Sequence, residues 1–160
     1  MMTIPHRPQV IVVLGSPADR PWSDRIVAAL ERFGLTSEVA IASAHKTPEY
    51  LLRLVRGWEQ QAGPRVYITV AGRSNALSGF LDAQVTAPVI ACPPASDSFG
   101  GMDLLSSLRM PRGVAPLVVL EPENAALAAA KILGTGLAQV REAVATSQRE
   151  ERERVIGANP

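Results

Sequence analysis

Apolar residues in this chain come in short runs separated by longer stretches with helical spacing. Residues 9–14 form a run dominated by Val and Ile. Such a run fits a strand buried on both faces. Gly15-Ser16-Pro17-Ala18-Asp19 is turn chemistry, and Pro21 suits a first helical turn. Trp22, Ile26, Ala29, Leu30 and Phe33 follow at helical spacing, and Gly34 suits the position just past a helix end. Residues 38–42 alternate and predict a second strand. Thr47-Pro48 reads as an N-cap followed by a first-turn proline. Leu51, Leu54, Val55 and Trp58 then mark the buried stripe of a second helix. Gly57 inside that helix costs about 1 kcal/mol relative to Ala.

The alternation continues. Residues 65–70 predict a third strand, then Ala71-Gly72-Arg73-Ser74-Asn75 and a short helix to about Ala83. Residues 88–92 predict a fourth strand, followed by a long loop over 93–101 and a helix through Leu108. Residues 116–120 predict a fifth strand. An Ala-rich helix over 123–133 is broken by Gly134-Thr135-Gly136, and a final helix runs from about Leu137 towards Arg152.

Five strands alternating with helices predict an α/β fold, a three-layer α/β/α sandwich around a parallel sheet. A flavodoxin-like 2-1-3-4-5 strand order is the expectation. Every strand-to-helix loop then lies on one edge of the sheet. That edge gathers 15–19, 43–47, 72–75, 93–101 and 121–124. Residues 1–8 read as an N-terminal tail, 9–134 as the catalytic α/β domain, and 135–160 as a C-terminal helix and tail of the same domain.

Composition narrows the function classes. The length of 160 residues makes one domain the default. A net charge of +1, with no Lys/Arg-rich block before the mixed Arg/Glu run at 149–154, gives nucleic-acid binding no support. Aromatic residues make up 4% of the chain, too few to stack on several bases. The start has no signal-peptide pattern and no apolar run is long enough to span a bilayer, so a soluble cytoplasmic protein is expected. The single cysteine, Cys92, excludes an intrachain disulfide and a cysteine metal cluster. It reads as a small buried residue rather than a nucleophile.

The candidate chemistry sits at the loop edge. Of two histidines, His6 lies in the Pro-flanked start, and His45 lies where the second strand gives way to a helix. Imidazole suits proton transfer near neutral pH. Residue chemistry alone leaves His45 open between a catalytic role and an ordinary helix-flanking position. Gly15, Ser16 and Asp19 suit either a phosphate- or ribose-binding loop or a plain capped turn. Ser43 and Lys46 beside a helix N-terminus suit an anion such as phosphate. Gly72 suggests a turn needing unusual backbone freedom. Ser74 or Asn75 caps the next helix or holds a small polar ligand with Arg73. Asp103, Ser106, Ser107 and Arg109 are individually uninformative. The loop over 93–101, rich in Pro, Gly and Ser, suits a lid. The Ala-rich stretch over 125–130 reads as close helix packing, and the long C-terminal helices suggest subunit contacts.

Taken in order, Gly15-Ser16-x-x-Asp19, Ser43-Ala44-His45-Lys46-Thr47-Pro48, Ala71-Gly72-Arg73-Ser74-Asn75, Cys92-Pro93-Pro94 and Ser106-Ser107-Leu108-Arg109-Met110-Pro111-x-Gly113 resemble the phosphoribosylaminoimidazole carboxylase family of purine biosynthesis. The match spans about residues 9 to 134. One branch of that family is a mutase with Ser-Ala-His-Arg-Thr-Pro and Gly-Gly-Ala-Ala-His motifs. The other adds carbon dioxide directly to aminoimidazole ribonucleotide and reads Ser-Ala-His-Lys and Ala-Gly-Arg-Ser-Asn. Lys46, Arg73-Ser74-Asn75 and the lack of a second histidine in the third loop resemble the direct, class II branch.

The resemblance implies that His45 transfers the proton. It implies that Ser16, Ser43 and Lys46 lie near the phosphate, Asp19 on the ribose, and Gly72, Arg73, Ser74 and Asn75 around carbon dioxide and the carboxylate. It implies no cofactor, no metal, and a symmetric homo-oligomer, an octamer favoured over a tetramer. One position departs: the family's Ser before its Asp is Ala18 here. Three rivals are weaker matches. They are the mutase, a longer pyridinium-type carboxylase, and a non-catalytic flavodoxin-like nucleotide-binding module.

Overall fold

The structure, a computed structural model, describes residues 9–159. The expected N-terminal tail over 1–8, including His6, lies outside the described residues.

Five parallel strands form one sheet: β1 (Val10–Leu14), β2 (Ser37–Ile41), β3 (Val66–Val70), β4 (Val89–Ala91) and β5 (Leu117–Val118). Their order is β2-β1-β3-β4-β5, as the flavodoxin-like expectation had it. β1 lies between β2 and β3, and Val12 sits opposite both Val39 and Ile68. Burial on both faces explains why β1 and β3 are continuous apolar runs. β2 lies at an edge and stays half-buried throughout, which is why its sequence alternates.

The two faces of the sheet take different helices. Val10, Val12, Leu14, Val66, Ile68 and Val70 pack on α1 (Arg20–Arg32), α4 (Pro122–Gly134) and α5 (Ala138–Gly157). Ile11, Val13, Tyr67 and Val89 pack on α2 (Pro48–Glu59) and α3 (Leu77–Asp82). The period of two along each strand produces this division. Each fully buried Val, Leu or Ile contributes about 1.5–3 kcal/mol. By comparison, the two-pronged Arg25–Glu123 pair between α1 and α4 (2.9 and 2.8 Å) is exposed, and solvent screens it. The sheet core, not surface pairing, holds the layers together.

Helix ends follow local chemistry. Gly34 has φ +69°, and its N–H donates to the Glu31 carbonyl at 2.9 Å, closing α1. Thr47 precedes α2, but its side chain does not cap it. Its Oγ1 accepts from Ser43 N (2.9 Å) and reaches the Ser43 carbonyl (3.2 Å). The hydroxyl closes the loop behind it instead.

Two expectations change. The helix expected to end at Leu108 is a pair of 3-10 turns over Ser98–Ser107. Phe99, Gly100 and Gly101, at the end of the expected loop, all take positive φ (51°, 62° and 81°) and kink the segment between its two turns. The fifth strand pairs only over Leu117–Val118, since Pro116 has no N–H to offer a ladder. The Ala-rich stretch of α4 packs closely, as its composition predicts. Ala125, Ala126, Ala129 and Ala130 are buried in the chain's own core, between α1 and α5. The final helix runs on to Gly157, with its Arg/Glu run exposed and Arg154 paired to Glu151.

Candidate active site

The chain leaves β1 towards β2 on one side and returns to β3 on the other. The loops after β1 and β3 therefore part at that point and open a crevice. A cleft of about 650 Å3 occupies it. Its lining draws on four loops: Gly15, Ser16, Ala18 and Asp19; Ser43 to Lys46; Ala71 to Ser74; and Pro94, Ala95, Ser96 and Ser98 with Asp103.

Gly15 lets the first and third loops approach. A Cβ there would sit 3.2 Å from the Ala71 Cβ, closer than ordinary packing. Gly15 N–H also donates to the Val70 carbonyl at 2.9 Å, continuing the ladder into the loop. Ser16 Oγ accepts from Ala18 N (3.2 Å) and shapes the turn that delivers Asp19. The Asp19 carboxyl is pushed above its usual range, chiefly by burial. A hydrogen bond from the Ser16 backbone and the positive charge of Arg73 both oppose that shift.

The second loop is tied to itself. Ser43 Oγ accepts from Lys46 N (3.2 Å), and the Ser43 carbonyl accepts from Thr47 N (2.9 Å). These bonds hold the turn that carries His45 and Lys46. Both side chains are exposed at the cleft, and His45 makes no hydrogen bond among the described residues. The imidazole is free to meet a ligand, and the ammonium adds positive charge beside it.

The third loop differs from expectation in one respect. The unusual backbone freedom resides in Arg73, not Gly72: Arg73 has φ 59°. A Cβ on Gly72 would meet only the Pro94 Cδ, at an ordinary 3.8 Å. Ser74 lines the cleft, while Asn75 does not. Asn75 is buried behind the loop, where its Oδ1 accepts from Ser78 N (3.3 Å) at the start of α3 and its Nδ2 donates to Ser107 Oγ (2.9 Å).

Nine of the ten candidate residues thus line one cleft, although they come from three separate loops. Pro94, Ala95, Ser96, Ser98 and Asp103 also line the cleft, and of these only Pro94 belongs to a motif the sequence singles out. The Pro, Gly and Ser content of the fourth loop marked it as a lid, and it forms a wall of the cleft. Asp103 had no sequence signal, because its position depends on the positive-φ break at residues 99–101. Cys92 is fully buried, and burial pushes its thiol up to about 11, so it stays protonated and unreactive near neutral pH. No group of three or more His, Cys, Asp or Glu is placed to hold a metal among the described residues. No helix among them is long and apolar enough to cross a membrane.

The cleft therefore offers a cationic, serine-lined corner for an anion, a carboxylate that accepts from hydroxyls, and an imidazole free to take or give a proton. Known proteins match this chain closely. A family described as AIR carboxylase matches residues 9–154. A phosphoribosylaminoimidazole carboxylase of Archaeoglobus fulgidus is 49% identical over 151 residues, covering 94% of this chain and 83% of that one. One of Treponema denticola is 45% identical over 150 residues, covering 94% of each. The crystal structure of Treponema denticola PurE superposes with a TM-score of 0.93 at 44% identity, covering 94% of this chain and 96% of that one.

Proposed function

The chain belongs to the AIR carboxylase family, and on that premise we propose that the cleft joins carbon dioxide to the ring carbon of 5-aminoimidazole ribonucleotide. The activity is a step of purine biosynthesis, and it runs reversibly. The observation that carries this reading is the meeting of His45 and Lys46 with Asp19 and Arg73 in one cleft.

Each residue has a task in this reading. Ser16, Ser43 and Lys46 hold the phosphate, where a charge-assisted contact is strongest. Asp19 accepts from the ribose hydroxyls. Gly72, Arg73 and Ser74 bound the space where carbon dioxide meets the ring. The electron-rich ring forms the new carbon–carbon bond, which leaves a tetrahedral carbon bearing both hydrogen and carboxylate. His45 takes that proton, and the C–H electron pair restores the aromatic ring. In reverse, His45 protonates the ring carbon and carbon dioxide departs. Lys46 and Arg73-Ser74-Asn75, with no second histidine in the third loop, support the direct branch over the mutase.

The test is a decarboxylation assay on 4-carboxy-5-aminoimidazole ribonucleotide without metal, ATP or other cofactor. Loss of the substrate's ultraviolet absorbance is expected. Persistent absorbance beside an active control enzyme overturns the reading.

Ala18 supplies a graded check. It lines the cleft where the family carries Ser. Ala18→Ser should restore one hydrogen bond worth about 1 kcal/mol, lowering the nucleotide KM about fivefold. An unchanged KM would show that this position does not face the nucleotide.

The protein is further proposed to act as a cytoplasmic homo-oligomer, an octamer favoured over a tetramer. Residues 9–134 form its catalytic unit, and 135–160 belong to the same domain, since α5 packs on α4. Supporting self-association, Phe99, Met102, Leu105 and Leu108 are exposed along the 3-10 segment, with Phe99 86% accessible. Leu105→Asp should shift light-scattering mass towards smaller species, and an unchanged mass would remove this surface from the interface.

A further inference from the structure

Ser106 does not line the cleft, yet it touches both sides of the residue that does. Its Oγ accepts from the Asn75 N–H (3.0 Å) and lies 2.9 Å from the Arg73 carbonyl. Ser74 is thereby bracketed by one hydroxyl from a segment more than thirty residues away. The same hydroxyl lies 2.8 Å from the Asp103 carbonyl, so its single hydrogen is shared between two acceptors. Ser107, fully buried, accepts from Asn75 Nδ2 (2.9 Å), and Asn75 Oδ1 accepts from Ser78 N.

The brace holds a conformation that the backbone does not choose by itself. Arg73 has a side chain and φ 59°, a region that L-residues with a Cβ seldom occupy. Such a residue persists only where its surroundings over-determine it. The neighbours on the strand side offer little. Gly72 is sterically open. The restraint comes from the 3-10 segment, through Ser106 to the backbone at 73 and 75, and through Ser107 to the side chain at 75.

We propose that Ser106, backed by the Asn75–Ser107 pair, is a positioning residue that holds the Arg73-Ser74 turn for the chemical step. The inference rests on the carboxylase reading of the cleft. The phosphate and ribose contacts lie on the first and second loops, which the brace does not touch. Loosening the brace therefore acts on turnover more than on nucleotide capture.

The test compares Ser106→Ala and Ser106→Thr in steady-state decarboxylation of the carboxylated nucleotide. Circular dichroism and light scattering serve as fold controls. Ser106→Ala is expected to lower kcat about 10- to 100-fold, the scale of a small misplacement of reacting groups, with KM within about threefold of the parent. Ser106→Thr keeps the hydroxyl and should recover most of the rate. If Ser106→Ala does not fold, Ser106→Cys replaces it, keeping the volume with a weak donor and the same expected loss. An unchanged kcat in a parent that turns over, an effect confined to KM, or equal loss in the Thr variant overturns the inference alone. A parent chain without turnover overturns the carboxylase reading, and the inference with it.

Discussion

Replacing His45 with Asn should lower turnover about 10²–10⁴-fold, the usual worth of a positioned general base, and leave nucleotide binding within about threefold. The structure separates the two effects. His45 is exposed on a turn whose geometry is held by Ser43 and Thr47, through Lys46 N to Ser43 Oγ, Thr47 N to the Ser43 carbonyl, and Ser43 N to Thr47 Oγ1. None of these bonds uses the imidazole, so the turn should survive its loss. Lys46 and Ser43 would still present charge and hydroxyl to the phosphate. Asn can hydrogen-bond but cannot carry a proton near neutral pH. The measurements are steady-state decarboxylation and a calorimetric titration of the carboxylated nucleotide into the variant. Near-normal turnover would sink the assignment of His45. A matching collapse of binding would instead make it a binding residue.

Asp19→Asn should raise the nucleotide KM about 10- to 100-fold, because it removes a charged acceptor, while raising the melting temperature of the ligand-free protein. The two signs have one cause. Burial lifts the Asp19 carboxyl above its usual range, so the fold holds the ionised form at a cost that the hydrogen bond from the Ser16 backbone and the charge of Arg73 only partly offset. A carboxyl whose folded pKa is raised favours folding most at low pH, where it is protonated. That contribution is lost as pH rises through the folded value. At neutral pH the ionised carboxylate thus weakens the fold and strengthens binding, a trade common at functional sites. The parent's KM should also rise as pH falls, beginning at a higher pH than an ordinary carboxylate would give. The Asp19→Asn variant should lack that limb. Thermal melts without nucleotide and KM measured against pH test both halves. A fall in melting temperature together with an unchanged KM would contradict the placement of Asp19 against the ribose.

Much of this was legible along the chain because it depends on near neighbours. The Val/Ile run over β1, the stripe of Leu51, Val55 and Trp58 on α2, and Gly34 closing α1 at φ +69° each follow from spacing or from one residue's backbone freedom. The parallel sheet follows from the alternation of strands and helices, and with it the gathering of the loops at one edge. That gathering is what made His45, Lys46, Asp19 and Arg73 candidates before any coordinate placed them in one cleft.

What the sequence could not carry depends on residues far apart in the chain. Asn75 and Ser74 are adjacent and both polar, yet one faces the cleft and the other is drawn behind it by Ser107, thirty-two positions on. The positive φ falls on Arg73 rather than Gly72, where Ser106 hydrogen-bonds the backbone on either side of Ser74. Three positive-φ residues end the expected loop over 93–101, and 3-10 turns replace the helix expected from there through Leu108, which brings Asp103 to the cleft and leaves Phe99 and Met102 exposed. The alanines of α4 read as close packing in sequence, but only the fold shows that their partners are α1 and α5. Local pattern, then, determined the elements, their order and the residue types at the working edge. Only packing between distant segments decided which of those residues face the ligand and which hold the others in place, since a hydrogen bond chooses its partner in space and not along the chain.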